Sequence, residues 1–271
     1  NKMTKTISAA ANPALANKTV QEVMAEKPKE VEIRITPPSD TAVNLPGGYI
    51  TSTGEVYSEA EVRELNGKDE EEISKATTLG KALLTILKRG TVRIGNESVT
   101  DTMLDNLLSG DRDMLLLGIF KATFGNIAHL GGYCGSCAET KEVDVEIDKD
   151  IKIKVLTDPI NDRTFTVKGK SLDYTVQLPT GITQRELMLS ADKTIAELNT
   201  ILLEQTVVKI GEAPVVSKIQ VQNIGLTDRR KLVDEINKRV CGPQFEDLVL
   251  DCPDCEGEVQ VPISLGTLFR F

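Results

Sequence analysis

The feature that most constrains this chain is that part of it occurs twice. Residues 111–125 (DRDMLLLGIFKATFG) lie over 228–242 (DRRKLVDEINKRVCG) without a gap, and six of the fifteen positions are identical. Ordinary composition gives about one such match. Leu115, Leu116, Ile119 and Thr123 align with Leu232, Val233, Ile236 and Val240, the stripe of an amphipathic helix. Asp111 and Asp228 stand where a carboxylate favours a helix start, and Gly125 and Gly242 where a left-handed residue ends one.

The likeness extends upstream. Residues 86–95 resemble 201–211 with one inserted residue. Before them run helical stripes, through Ile73, Ala76, Gly80, Leu83, Leu84 and Leu87 in one copy and Ile195, Leu198 and Leu202 in the other. Further back, LPGG at Leu45 is set against LPTG at Leu178. The expectation is an α+β chain of two tandem homologous lobes, 45–147 and 172–271, joined by a small β region, 148–171. In that region IKIKV and TFTVKG read as strands about a turn at Asp158-Pro159. Residues 1–44 stand apart as an extended arm broken by Pro13, Pro28, Pro37 and Pro38. A short helix at 20–26 and a strand-like alternation at Val31, Ile33 and Ile35 are all it offers, too little to close a core.

Carrying the repeat past its glycines brings in the cysteines. GYCGSC places Cys134 and Cys137 after Gly125, and LDCPDC places Cys252 and Cys255 after Gly242. Each pair precedes an alternating strand, Val143, Val145 and Ile147 in one copy and Val259, Val261 and Ile263 in the other. Two CxxC pairs at turns into strands are the ingredients of a four-cysteine, zinc-ribbon-like site, closed to water and therefore structural. The 114 residues between Cys137 and Cys252 are explained if the ion joins the two lobes. Four buried thiols, or disulfides within or between the pairs, are the alternatives; a thioredoxin-type role lacks its strand–CxxC–helix setting. Cys241, opposite Phe124 in the other copy, reads as a core thiol, and His129, the single histidine, as a surface or loop residue.

Composition removes other functions. The formal net charge of −9 opposes sequence-independent nucleic-acid binding, which needs a cationic footprint. No apolar run approaches a membrane span and no stretch has the form of a signal peptide, so the chain reads as soluble and intracellular where it is made. With aromatics at 4% and no tryptophan, its cores are built from Leu, Ile and Val. One histidine leaves Ser-His-Asp or Cys-His catalysis only His129 to use, and neither GxSxG nor a glycine-rich phosphate loop occurs. The acidic run Asp69 to Glu72 is expected to open a helix continuing through Ile73 to Leu87, favoured by the macrodipole. Nothing here calls for an enzyme.

The assembled motifs resemble a family. LPGGYITSTGEVYSEAEVRELNGKDEEEISKA, GKALLTILKRGTVRIG, LLSGDRDMLLLGIFKATFG with CGSC, then the second LP…G unit and a terminal CPDC…FRF, are similar to the T4-like phage baseplate hub subunit and hub assembly chaperone family of contractile tails and related injection systems. The resemblance implies a non-enzymatic protein of tail morphogenesis, contacting other tail or baseplate proteins and copies of itself. It implies the host cytoplasm during assembly, and the virion tail or baseplate if the chain is retained. It carries Cys134, Cys137, Cys252 and Cys255 over as ligands of a structural zinc, and Asp111 and Arg112 as the start of a signature helix. The alternative is a cytoplasmic zinc-containing adaptor or regulator unrelated to phage; a nucleic-acid-binding zinc ribbon is disfavoured by the acidity. Leu268, Phe269, Arg270 and Phe271 form an apolar tail, with Phe269 expected to pack on its own lobe.

Overall fold

The structure, a computed structural model, describes residues 41–269. The expected arm lies outside the described residues except for its last few, which open the first strand. β1 (Ala42–Ile50) and β2 (Val56–Val62) form an antiparallel hairpin. Then come α1 (Gly67–Ile73), α2 (Leu79–Gly90), β3 (Thr91–Ile94) and β4 (Glu97–Ser98), closing a sheet of order β1-β2-β3-β4. α3 (Asp101–Asn106), α4 (Ser109–Phe124) and β5 (Ile127–Cys134) follow, and β5 pairs along its length with β6 (Glu139–Glu146). A short α5 (Ile147–Asp150), β7 (Lys152–Lys154) and a 3-10 turn lead into the second half.

The second half runs β8 (Thr164–Lys168), β9 (Asp173–Gln177), α6 (Gly181–Leu189), α7 (Ile195–Thr206), β10 (Val207–Ile210), β11 (Ala213–Pro214), α8 (Lys218–Gln222), α9 (Leu226–Arg239) and β12 (Gly242–Gln244). Its sheet is ordered β8-β9-β10-β11, and its sequence of elements is the one seen from β1 to β5. The chain ends its described part with β13 (Leu248–Asp251), β14 (Glu258–Val261) and α10 (Leu265–Leu268). The 148–171 region is shared out between sheets: β7 pairs with β12 and β8 with β9.

The cores do not follow the intervals expected for the lobes. One core holds residues from Val43 to Ile151 together with Val259, Val261, Ile263, Leu265, Leu268 and Phe269. The other holds Val167, Tyr174, Val176 and side chains of α7 to α9, ending at Ile236. The reason is strand pairing: β14 lies beside β5, giving a sheet β13-β14-β5-β6 in which the last strands of the chain complete the first half. Phe269 is buried, with its ring edge-on to Phe120 at 5.6 Å. Its core is therefore the first half's.

Three local expectations are corrected. The helix expected through Ile73 to Leu87 is broken: α1 stops at Ile73 and α2 starts at Leu79. Thr78 is extended there, and its hydroxyl accepts from Lys81 N, so this threonine restarts a helix instead of continuing one. LPGG and LPTG are not equivalent, since Leu45 lies within β1 whereas Leu178 lies between β9 and α6. Gly48 supplies a φ of +72° at the irregularity in β1; Gly181 begins a helix. Finally, Gly125 caps α4 with φ +90°, but α9 ends at Arg239 and Gly242, also at positive φ, starts β12. Gly242 is needed because its Cα lies against Gly110, where an added Cβ would meet Gly110 Cα at 2.7 Å.

Among the described residues no helix is long and apolar enough to cross a membrane.

Candidate metal centre

The first knuckle is the turn between β5 and β6, where Ala138 takes φ +57° before the chain returns. The second is the turn between β13 and β14. Because β5 and β14 are antiparallel neighbours, with Cys134 opposite Val259, both turns project from the same end of one sheet. Gly132 permits this approach: a Cβ there would lie 2.7 Å from the Gln260 carbonyl.

The four sulfurs consequently converge. All four Sγ atoms lie within 4.8 Å of one another, with Cys134 to Cys255 at 3.8 Å, Cys137 to Cys252 at 3.8 Å and Cys137 to Cys255 at 3.1 Å. A tetrahedral thiolate site with metal–sulfur bonds of about 2.3 Å has edges of about 3.8 Å. A disulfide would require about 2.05 Å, and all of the cysteines are free thiols. Amides point at the sulfurs, Cys137 N to Cys134 Sγ at 3.5 Å and Gly257 N to Cys255 Sγ at 3.3 Å. Chiefly through the Cys137 amide, the Cys134 thiol is drawn down to about 7, while hydrogen bonding to Cys255 pushes Cys137 up. Cys134 and Cys252 are buried and the other two half-buried. This donor set can hold a metal ion, and a closed thiolate tetrahedron leaves it no open position for substrate.

Lys141 ties the knuckles together from outside. On β6, it pairs with Glu139 and reaches Asp254 of the second knuckle at 2.7 Å. Neither lysine nor aspartate stands out in the sequence, because their meeting depends on β5 pairing with β14.

The other sequence-marked residues fall elsewhere. His129 is exposed on β5, its Nδ1 2.6 Å from Asp144 Oδ1, away from the thiols. Cys241 is buried with Leu108 and Leu178 at the junction of the two halves, and burial pushes its thiol up to about 12. Asp69 does more than favour a helix dipole. Its carboxylate is wholly buried, closes a capping box with Asn66, and is held by Arg63 at 2.7 Å and by Arg89 at 2.5 Å. Arg63 foremost holds Asp69 below the usual carboxylate range. Glu70, Glu71 and Glu72 remain exposed.

Asp111 and Arg112 form a buried clasp at the junction. Asp111 Oδ1 accepts from Gly47 N at 2.6 Å, and the Arg112 guanidinium donates to the Gly181 carbonyl at the start of α6. Around them Ser109 N bonds Pro179 O at 2.9 Å, Gly181 N bonds Leu107 O at 2.8 Å, and Leu108 and Thr180 form a β-bridge. Arg163 closes the far side by donating to the Gly47 and Gly48 carbonyls. Burial pushes Asp111 up to about 6 and lowers Arg112 to about 10. Asp111 Oδ2 and Arg112 Nε are buried with no hydrogen-bond partner among the described residues. The recurrence of Asp-Arg in the two aligned segments was the available signal for these residues, although it did not reveal what they touch.

No curated protein matches the chain, and no solved structure does. A sequence profile for the T4 bacteriophage base plate protein matches residues 48–240, which include the first CxxC pair, the Asp-Arg clasp and the second half's sheet. The match spans well over half of the 271 residues, and the chain belongs to the T4 bacteriophage base plate protein family.

Proposed function

We propose that this chain is a structural protein of a contractile tail's baseplate, acting at the central hub or in its assembly through protein contacts, with a zinc ion held by Cys134, Cys137, Cys252 and Cys255. The observation that carries the baseplate role is the family match over residues 48–240. The convergence of four sulfurs at the end of one sheet supports the metal. When bound, zinc supplies four bonds that link the β5–β6 turn to the β13–β14 turn, and binding free energy becomes folding free energy. The halves are read as tandem copies of one unit, supported by their equal order of elements, with the second sheet beginning at Thr164.

Mass spectrometry and a density map of purified tails test the role. Presence in the particle supports a retained component made in the host cytoplasm and carried into the virion. Absence, with tails failing to form when the gene is deleted, assigns a transient chaperone. Normal tails after deletion overturn both. Elemental analysis of reduced, chelator-free protein tests the metal: about one equivalent of zinc is expected, and less than about half an equivalent contradicts the site.

A further inference from the structure

The first half receives the second through a defined surface, and the second half presents the counterpart of that surface with none of the described residues docked on it. In the first half, the turn between α3 and α4 accepts the segment that leads into α6. Its contacts are the paired backbones of 107–109 and 179–181, the Arg112 bond to Gly181, Gln184 on Asp113, and Arg185 on Asp105 at 2.6 Å. A side chain at Gly181 would collide with the Leu104 carbonyl, so the fit is close.

Matching elements locate the counterparts. α6 corresponds to α1, both with a capping box and a buried third residue, Thr183 and Asp69. Gln184 and Arg185 therefore correspond to Glu70 and Glu71. Asp111 aligned with Asp228 sets the α3–α4 turn against 224–226, and Asp113 against Arg230. At that turn Leu226 is 74% exposed, and a Cβ added at Gly225 would meet nothing within 4 Å. The same openness surrounds Gly67, the counterpart of Gly181. The backbone groups left over are complementary: Ile224 O and Leu226 N on one surface, Gly67 N and Leu65 O on the other, have no partner among the described residues.

Charge selects the occupant. In the internal contact the acids lie on the receiving helices and the base on the inserted one. In the open pair the signs are reversed, with exposed Glu70, Glu71 and Glu72 on α1 and exposed Arg230 and Lys231 on α9. We infer that a second copy of this chain docks the start of its α1 onto the α8–α9 turn, repeating head to tail between molecules the contact that joins the halves within one, with Glu70 facing Arg230. Such a contact is heterologous: each docked pair keeps one free donor surface and one free acceptor surface, so copies add into a ring or a row. The inference rests on the matching element order and on neither the zinc nor the baseplate role.

Sedimentation velocity on the purified full chain tests it. The wild type is expected to associate with rising concentration, and more strongly at low salt. Glu70→Arg and Arg230→Glu, both on exposed positions, each oppose like charges and are expected to weaken association about tenfold or more. Mixing the two variants restores opposite charges across the contact and is expected to restore wild-type association. Unchanged thermal melts verify that both variants fold. A wild type that stays monomeric up to its solubility limit overturns the inference and leaves the surface to a different baseplate protein. Single variants that associate as the wild type does, or a mixture no stronger than either alone, overturn it equally. Because only this chain is present, failure here leaves the baseplate role untouched, and absence from tails would leave this result standing.

Discussion

Asp111-Arg112 and Asp228-Arg229 open two aligned helices, α4 and α9, and come to rest in opposite surroundings. Asp228 accepts from Lys170 N at 3.0 Å and from the Tyr174 hydroxyl at 2.9 Å, and Arg229 donates to Val221 O at 3.0 Å and Thr200 Oγ1 at 2.8 Å. All of these partners belong to the second half. In the first half Ala60 stands where β9 has Tyr174, and Leu84 where α7 has Thr200. Asp111 therefore has no hydroxyl to receive, and its Oδ2 stays unpartnered among the described residues. Arg112 has no side-chain acceptor of its own and crosses to Gly181 in the other half. Two hydroxyl-for-hydrocarbon exchanges thus separate a self-contained polar pair from one that joins two cores. The helices differ accordingly: α4 is buried on nearly every side, from Ser109 to Ala122, whereas α9 buries only Leu232 and Ile236.

The largest disturbance of this asymmetry is expected at the four-cysteine cluster, through the ion proposed for it. Cys134 and Cys252 belong to the first core and no cysteine to the second. A chelator, or Cys252→Ser, is expected to cost the first core about 5 kcal/mol or more. Hydrogen exchange checks this: protection is expected to fall in β5, β6, β13, β14 and α10 and to persist in β8 to β10 and α9. Equal loss in both sets would contradict the division of cores.

Next comes the arginine pair itself. Arg112→Ala removes a buried side chain and leaves the Gly181 carbonyl unanswered, for an expected loss of about 4 kcal/mol. Arg229→Ala, half-exposed, is expected to cost about 1 kcal/mol. Urea denaturation of both variants measures the difference, and equal losses would remove the contrast.

The aspartates then predict a pH dependence. In the fold Asp111 holds its proton up to about pH 6 because burial disfavours its charge, while the unfolded chain releases it near the ordinary value of 3.8. Folding takes up a proton in that window. The stabilising contribution is therefore complete below about pH 4 and lost by about pH 6, about 3 kcal/mol in all. Chemical denaturation of wild type and Asp111→Asn across about pH 4 to 7 checks the sign: the wild-type minus variant stability should fall as pH rises, and a flat difference would refute the assignment. The smallest effect sharpens the comparison from the other side. Tyr174→Phe makes the second half resemble the first by removing one hydrogen bond to Asp228, for about 1 kcal/mol.

What the sequence made legible follows from the range of the forces involved. The aligned stripes of α4 and α9, the core placement of Cys241 and the meeting of two CxxC pairs could be read because periodicity and repetition are local and cumulative. The break at Thr78 was hidden by an apolar stripe that runs on through Ala76 and Gly80. LPGG and LPTG misled because three of four residues match by chance where a helix start and a strand irregularity both favour proline and glycine. Least legible were the contacts of Arg112 and Lys141. Their partners, Gly181 and Asp254, are fixed by packing and strand pairing across long separations, which leave no pattern along the chain.

The position of β13, β14 and α10 has a consequence for timing. These last elements complete the sheet of the first half, so the second half is in effect inserted into the first. During synthesis the second core has all of its buried side chains once Ile236 has emerged, while the first still waits for Val259 to Phe269. Cys134 and Cys137 likewise wait for Cys252 and Cys255, with more than a hundred residues made in between. Emergence from the ribosome runs from N- to C-terminus, but the last members of the two cores emerge in the opposite order. The half that is made first is the half whose core is complete last.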